Sequence, residues 1–199
     1  MPFPPILTRD FYQRTTEDVA MDLLGKVLVR RDSDGIVRVR LTEVEAYLGV
    51  EDPACHTYRG RRTARTETMW GDAGFAYVYL VYGIHHCLNV VTMGPGDPQA
   101  VLLRGGVVEE GALLVRERRG RGVARRALTD GPGKLCQALA ITRIDDGVDL
   151  TQDNSSVTIC DDGARIDQAC VQRLPRVGVE YASEAAAWPL RFVAESPSG

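Results

Sequence analysis

Residues 36–48 read as one long β-strand, and this strand most constrains how the chain can fold. Side chains alternate between the two faces of a strand, so one face should carry Val37, Val39, Leu41, Glu43, Glu45 and Tyr47. That face begins apolar and ends with two carboxylates and a tyrosine. Burying a carboxylate costs free energy, so it is expected only where the group is paired with a cation or takes part in the chemistry of the protein. Either the glutamates form ion pairs with nearby arginines, or one of them takes part in chemistry.

A β-hairpin is predicted over residues 75–92. Two strand-like runs, 75–82 and 86–92, are joined at Gly83 and Ile84, which is typical of a tight turn. Tyr82 lies at the tip, where an aromatic ring contributes little to a core but can enter a groove. Further strands are expected at 26–31, at 100–103 and at 156–160, and helices at 15–24, at 111–119 and from Pro132 onward.

Length and composition favour one domain, which we place over residues 1–199 with flexible ends at 1–8 and 195–199. No apolar run approaches the roughly 18 residues of a membrane helix, and the N-terminus lacks the features of a secretion signal. The five cysteines form no CxxC pair, which is typical of free, mostly buried thiols in a reducing compartment. A cytoplasmic location is therefore expected if the source is bacterial, and a nucleoid-associated one if the partner is DNA.

Arginines are clustered, although the net charge is −3. The overall charge argues mildly against a nucleic-acid partner, because phosphate binding needs a basic face. The charges are nevertheless unevenly distributed along the chain, and the segment after residue 144 is acidic. The arginines form two clusters: Arg59, Arg61, Arg62 and Arg65, and then Arg116, Arg118, Arg119, Arg121, Arg125 and Arg126. A protein with one basic face fits this distribution as well as a protein whose charges are merely solvated.

Neither a metal site nor a thiol nucleophile is favoured by the sequence. Residues 55–56 (Cys-His) and 85–87 (His-His-Cys) place good ligands side by side, whereas zinc ligands are usually spaced by about two to four residues. His56 could activate Cys55, but no third orienting group stands at a recognisable spacing. We predict no metal.

Rings, a carboxylate and basic flanks together indicate an enzyme that acts on a nucleobase removed from the stack. Aromatic rings stack on bases, arginines bind phosphates, and a carboxylate beside a sugar can serve as a base in glycosidic hydrolysis. Two other classes stay open on these residues. One is a damage-sensing nucleic-acid binding module without catalysis, and the other is a hydrolase of free nucleosides.

Five blocks, in this order, resemble the alkyladenine (3-methyladenine) DNA glycosylase family. They are LTEVEAYLG, EDPACHTYRG, AYVYLVYGIHHCLNVV, AVLLRG and LTDGPGKLCQALAI, and the likeness continues through PRVGV and PLRF. The resemblance implies an α+β fold, with one mixed domain, a curved antiparallel β-sheet and a protruding β-hairpin that enters the DNA minor groove. It is not the helix-hairpin-helix type of glycosylase.

The resemblance also implies a role for each site residue. Glu45 would be the general base that activates a water, which Arg104 and the main chain of His56 would help to hold. The base pocket would consist of Tyr47, His56, Tyr79 and Asn89, with Asn89 acting as a steric filter against the exocyclic amine of guanine. Tyr82 would wedge into the minor groove and fill the gap left by the extruded nucleotide.

The expected substrate is double-stranded DNA with damaged purines, bound by a monomer that needs no cofactor. Expected lesions are 3-methyladenine and 7-methylguanine, with hypoxanthine and ethenoadenine as further candidates, and the product is an abasic site. Backbone contacts are expected from Arg61, Arg62, Arg65, Arg118, Arg119 and Lys134. The chain departs from the family pattern at Thr66 and Trp70, and family members vary at the positions of Ile84 and His85 beside the wedge.

Overall fold

The long strand found in the sequence lies at the centre of the sheet. In a computed structural model, which describes residues 4–194, strand β2 spans Gly35–Tyr47 and pairs along its length with strand β5, Gln99–Glu110. On its other edge, the first half of β2 pairs with β1 (Val27–Asp32), and its second half pairs with β8 (Arg191–Val193). The sequence therefore predicted β2 to within one residue at each end.

The remaining elements complete a curled antiparallel sheet with few helices. Its strand order is β3-β4-β5-β2-β1-β6, with β7 added to the edge of β8. The additional strands are β3 (Ala76–Val81), β4 (His85–Thr92), β6 (Val157–Cys160) and β7 (Gln172–Leu174). The α-helices within residues 4–194 are α1 (Arg9–Tyr12), α2 (Thr16–Leu23), α3 (Ala112–Arg119) and α4 (Pro132–Ala138), and the other helical turns are short 3-10 helices. The predicted α+β class, the curved sheet and the β3–β4 hairpin are confirmed.

Helices α2 and α4 cover one face of the sheet and form the main core with it. Their apolar residues pack with alternate residues of the strands, such as Ala46, Val78, Leu88 and Val101. Helix α4 begins at Pro132, as predicted, because proline fits the first helical turn, where its missing N–H is not needed. The opposite face of the same strands is left for a cavity.

Two irregularities in β2 and β5 change which side chains face the core. The pairing shifts between Leu41 and Glu43 and again between Glu43 and Val44. After Leu41, the next residue of β2 that packs into the core is therefore Val44, three residues further on. The prediction that Glu45 shares the face of Leu41 was wrong, because an extra residue reverses the alternation downstream of it.

Strand β5 is longer than predicted. We expected a strand that ends at Arg104, but β5 continues through Gly105 and Gly106 to Glu110. The two glycines lie where β5 passes closest to its neighbours: a Cβ on Gly106 would overlap the carbonyl oxygen of Arg40. Glycine within a strand pattern therefore marked a close approach between backbones and not the end of the strand.

The N-terminal segment that the structure describes is attached to the sheet. Ile6 forms a bridge with Cys160, and the buried Leu7 donates its N–H to Ile159. Residues 1–3 and 195–199, which belong to the predicted flexible ends, lie outside the described residues. Within residues 4–194, no helix is both long enough and apolar enough to cross a membrane.

Replacing Gly106 by alanine should lower the free energy of unfolding by about 3 kcal/mol, because the new methyl group meets backbone that cannot move aside. Urea unfolding followed by circular dichroism measures this difference. Gly122→Ala is the matched control, since the space around that glycine is open, and its effect should stay within about 0.5 kcal/mol. Equal effects from both changes would contradict the close approach.

Candidate active site

A cavity of about 460 Å³ lies on the face of the sheet opposite the helices. Its walls come from strands β2 to β5, from the segment 54–69, from the hairpin tip and from the segment 177–181. All five sequence blocks and PRVGV contribute to its lining, which includes Tyr47, His56, Arg65, Tyr77, Tyr79, Tyr82, Asn89, Leu102, Arg104, Pro132, Val177 and Tyr181. A volume of this size is in the range of small-molecule sites.

Strand register brings distant parts of the sequence into one row across the cavity face. Tyr77 pairs with Asn89, Asn89 with Leu102, and Leu102 with Glu45. Tyr79 and Tyr47 point to the same face, because each lies two residues further along its strand. The predicted catalytic and pocket residues of the strands therefore come together through the pairing of the sheet.

Glu45 is fully buried (0% exposed) behind this wall. Its Oε1 accepts the N–H of Val177 at 2.8 Å and lies 3.3 Å from Nη1 of Arg104. Its Oε2 accepts the hydroxyl of Tyr47 at 2.9 Å. Burial raises the pKa of Glu45 above its ordinary value, while Arg104, the Val177 N–H and the Tyr47 hydroxyl act in the opposite direction.

Arg104 connects the two glutamates of β2. Its Nε donates to Oε1 of Glu43 at 2.8 Å, and Arg191 on β8 donates to the same oxygen at 3.0 Å. Glu43 and Glu45 are thus both paired with arginines, which was one of the two alternatives that the sequence left open. Glu45 differs from Glu43 in being fully buried and in contacting three groups that line the cavity.

Tyrosines 77 and 79 and His56 form an aromatic wall. The rings of Tyr77 and Tyr79 are 5.3 Å apart and tilted by 33°, and His56 meets Tyr79 edge to face at 4.6 Å. The Nδ1 atom of His56 is 2.9 Å from the hydroxyl of Tyr77. Burial, with the nearby Arg65 and Arg61, lowers the pKa of His56 to about 4, so this imidazole is neutral at pH 7.

Asn89 is fixed beside this wall. The residue is buried, and its side-chain amide donates to the carbonyl oxygen of Tyr77 at 3.1 Å. This hydrogen bond fixes the direction of the Asn89 amide at the cavity wall.

The hairpin tip carries Tyr82 to the mouth of the cavity. Tyr82 and Gly83 both have positive φ, and the N–H of Ile84 closes the turn on the carbonyl of Val81, as in a type I′ turn. Tyr82 is 90% exposed and Ile84 is 70% exposed. The sequence placed this aromatic ring at the tip correctly.

The six cations predicted to contact the DNA backbone have different surroundings in the structure. Arg61 is exposed, and Arg65 lies over the ring of Tyr79 at 5.0 Å and lines the cavity. Arg62 pairs with Glu67, and Lys134 pairs with Asp130. Arg118 binds Asp32 and Asp34, while Arg119 donates to the carbonyl oxygen of Leu128. Four of the six cations therefore have carboxylate or carbonyl partners within the protein, and Arg65 contacts the aromatic wall.

Several residues of the site were missed by sequence reasoning. Tyr77 was not assigned to the pocket, and Val177 and Tyr181 were not assigned to the site, although all three line the cavity. The block PRVGV was noticed in the sequence, but a backbone N–H that binds Glu45 has no side-chain signal. For Tyr77, the register with Asn89 would have been sufficient.

Two of the unusual positions have structural roles. The hydroxyl of Thr66 accepts the N–H of Thr63 at 3.0 Å within a turn. Trp70 packs against the guanidinium of Arg62 at 5.3 Å. Among residues 4–194, no group of three or more His, Cys, Asp or Glu side chains is arranged to hold a metal ion.

Comparisons with known proteins identify the family of the chain. The family model described as methylpurine-DNA glycosylase matches residues 10–198. The chain is 46% identical over 188 residues to a protein of Bdellovibrio bacteriovorus, 45% identical over 188 residues to one of Methanocella arvoryzae, and 42% identical over 196 residues to one of Desulfitobacterium hafniense. These alignments cover 94%, 94% and 95% of this chain and 94%, 92% and 95% of the relatives, each provisionally named a 3-methyladenine DNA glycosylase. The resemblance is confirmed: the chain belongs to the methylpurine-DNA glycosylase family and is a monofunctional DNA N-glycosylase of DNA repair.

Proposed function

We propose that the protein excises N-alkylated purines, 3-methyladenine and 7-methylguanine above all, from duplex DNA and leaves an abasic site. In this mechanism Glu45 acts as the general base. It takes a proton from a water that attacks the anomeric carbon, and the purine leaves with the electrons of the N-glycosidic bond. Family membership favours this enzyme over a non-catalytic binding module or a hydrolase of free nucleosides.

The observation that carries the proposal is the buried carboxylate of Glu45. A carboxylate without solvent is costly, yet here Val177, Tyr47 and Arg104 all direct hydrogen-bond donors or positive charge at it. These groups stabilise the ionised form, which is the form that a general base needs. They also line the cavity, so Glu45 lies directly behind the side chains that would face the sugar.

The aromatic wall suits a positively charged base. Alkylation at N3 or N7 gives the purine a positive charge, which electron-rich rings such as Tyr47 and Tyr79 attract. Neutral His56 adds no opposing charge. The same positive charge makes the base a good leaving group, so an activated water is sufficient. Neutral lesions such as hypoxanthine and ethenoadenine would need more help at the leaving base.

Asn89 would act as the steric filter of the pocket. Its amide is held by the carbonyl of Tyr77, so it cannot turn aside for the exocyclic amine of guanine. A normal guanine would have to break this buried hydrogen bond in order to fit.

Tyr82 would enter the minor groove and take the place of the extruded nucleotide. Its exposed ring lies at the tip of the β3–β4 hairpin, beyond the cavity. When a base is flipped out, a side chain inserted between the neighbouring bases can fill the gap in the stack. Among the predicted backbone cations, Arg61 and Arg65 are the best placed to contact phosphate. Arg62, Arg118, Arg119 and Lys134 would have to share or exchange their present partners.

Replacing Glu45 by glutamine should lower the single-turnover release of 7-methylguanine by about 100-fold or more, while binding to a duplex with an abasic-site analogue is retained. Glu43→Gln is the matched control, because it removes the neighbouring carboxylate that shares Arg104 but leaves the general base. Equal rates for wild type and Glu45→Gln would contradict the role of Glu45. An equal loss in both variants would point to the ion-pair network instead.

The reaction rate should fall at acidic pH, and the midpoint of this fall should lie above the pKa of an ordinary glutamate. The base acts in its ionised form, and burial raises the pKa of Glu45 above 4.5, so activity is present above this raised value and is lost as the pH falls through it. Tyr47→Phe removes one hydrogen-bond donor to the carboxylate, which raises the pKa of Glu45 further. The acidic limb of the pH–rate profile should therefore move to higher pH. Single-turnover release of 7-methylguanine, corrected for spontaneous loss, measures the profile. A flat profile from pH 4.5 to 8 would contradict a titrating base.

Tyr82→Ala should weaken binding to a duplex that contains an abasic-site analogue by about 10-fold, since stacking contributes roughly 1–3 kcal/mol per base. The pocket should stay intact, because Tyr82 is outside the buried wall. Fluorescence anisotropy measures the affinity, and Tyr82→Phe, which keeps the ring, should bind like wild type. Unchanged affinity of Tyr82→Ala would count against the wedge.

A further inference from the structure

A completely buried ion pair lies directly behind the candidate active site. Asp52 and Arg176 both have side chains that are 0% exposed. The guanidinium binds the carboxylate with two nitrogens, Nη1 to Oδ2 at 2.5 Å and Nη2 to Oδ1 at 2.8 Å. Neither residue lines the cavity, and neither has a role in the mechanism described above.

This pair joins three segments of the chain. The carboxylate of Asp52 accepts the N–H of Leu48 at 3.0 Å and of Ala54 at 2.9 Å, which fixes the turn after β2. The guanidinium of Arg176 donates to the carbonyl of Ala46 at 3.0 Å. Its Cζ also lies 4.7 Å from the centre of the Tyr47 ring. The pair therefore holds the C-terminal segment against the end of β2.

Two of the three groups that bind Glu45 depend on this arrangement. Val177 follows Arg176 in the chain and donates its N–H to Glu45 at 2.8 Å. The ring of Tyr47, whose hydroxyl donates to Glu45 at 2.9 Å, rests against Arg176. Moving Arg176 would displace both donors together.

Stability alone is a weak reason for such a pair. Burying two charges costs solvation energy that their attraction only partly returns, and apolar residues of similar volume often give an equally stable protein. Apolar residues would not fix the geometry of the neighbouring groups. A two-nitrogen ion pair with a stacked ring fixes both the direction and the distance of those groups.

We propose that Arg176, held by Asp52, is a positioning residue for the glycosylase reaction: it orients the Val177 N–H and the Tyr47 hydroxyl toward Glu45. This inference rests on the proposed role of Glu45 as the general base. Arg176 does not line the cavity, and apart from its charge, which also acts on Glu45, it acts through those two donors.

The groups that face Glu45 come from several elements, and all of them affect its ionisation. They are Glu43 and Tyr47 on β2, Cys87 on β4, Arg104 on β5 and Arg176 in the C-terminal segment, with Arg191 on β8 bound to Glu43. Among them, Tyr47 depends on Arg176 for its position, as does the Val177 N–H. When these two donors are lost or misdirected, the carboxylate keeps only Arg104, and its neutral form is favoured.

The test is the double variant Asp52→Asn with Arg176→Gln, which replaces the ion pair by two amides and leaves no unpaired buried charge. Its single-turnover rate on 7-methylguanine duplex should fall about 10-fold or more, and the acidic limb of the profile should move to higher pH. Affinity for the abasic-analogue duplex should stay within twofold of wild type. This separation of rate from binding, together with the shifted limb, is not expected from a purely structural role.

The matched control is a second, largely buried pair that does not line the cavity, Arg30 with Asp145, whose nearest atoms are 2.5 Å apart. Arg30→Gln with Asp145→Asn should lower the melting temperature without moving the pH limb. If the Asp52 and Arg176 double variant does not fold, Arg176→Lys serves in its place. It keeps the charge but not the two-nitrogen geometry, and it should shift the limb in the same direction.

Glu45→Gln measured in parallel separates the two proposals. If Glu45→Gln is inactive and the folded pair variant has the rate and the pH limb of wild type, the positioning role is overturned and the general base stands. If Glu45→Gln keeps full activity, the proposed base is overturned, and the positioning role falls with it. A slow pair variant with a shifted limb beside an inactive Glu45→Gln supports both.

Discussion

The opposed irregularities in β2 and β5 determine which side chains the sheet presents to the cavity. One extra residue near Thr42 reverses the alternation, so Val44 and Ala46 continue the core that Leu41 began, and Glu45 turns to the other face. In a regular strand Glu45 would lie among the apolar side chains of the core, and Val44 would face the cavity side of the sheet. The close approach at Gly106, which only glycine permits, is part of the same irregularity.

Charges of alternating sign make it possible to bury Glu45. From the cavity wall outward, the order is Glu45, Arg104, Glu43 and Arg191, each in contact with the next. Arg104 is shared between two carboxylates and therefore cannot bind Glu45 with both of its ends. The carboxylate then depends on Val177 and Tyr47 for its remaining donors. A base with neutral donors and a shared cation keeps more of its proton affinity than a base in a closed two-nitrogen ion pair.

Much of the fold could be predicted from the sequence because its signals are local. Alternation marked β2, the short turn marked the hairpin, and Pro132 marked a helix start. The phase of β2 could not be predicted in this way, because a bulge depends on the neighbouring strand as much as on the residues within it. The pocket could be assembled from sequence only through the family resemblance. The roles of Val177 and of the Asp52–Arg176 pair depend on contacts across more than 120 residues of chain, for which no local pattern exists.

Burial acts in the same way on two titratable groups of the site, and the neighbours of each group determine how they differ. Desolvation favours the neutral form of both His56 and Glu45. His56 has the hydroxyl of Tyr77, which can donate to a neutral ring nitrogen, and nearby arginines that oppose protonation. Glu45 instead meets donors and a cation, which favour its charge. Buried groups beside one cavity can therefore include a neutral imidazole and an ionised carboxylate. This combination suits a cationic nucleobase whose sugar must be attacked by water.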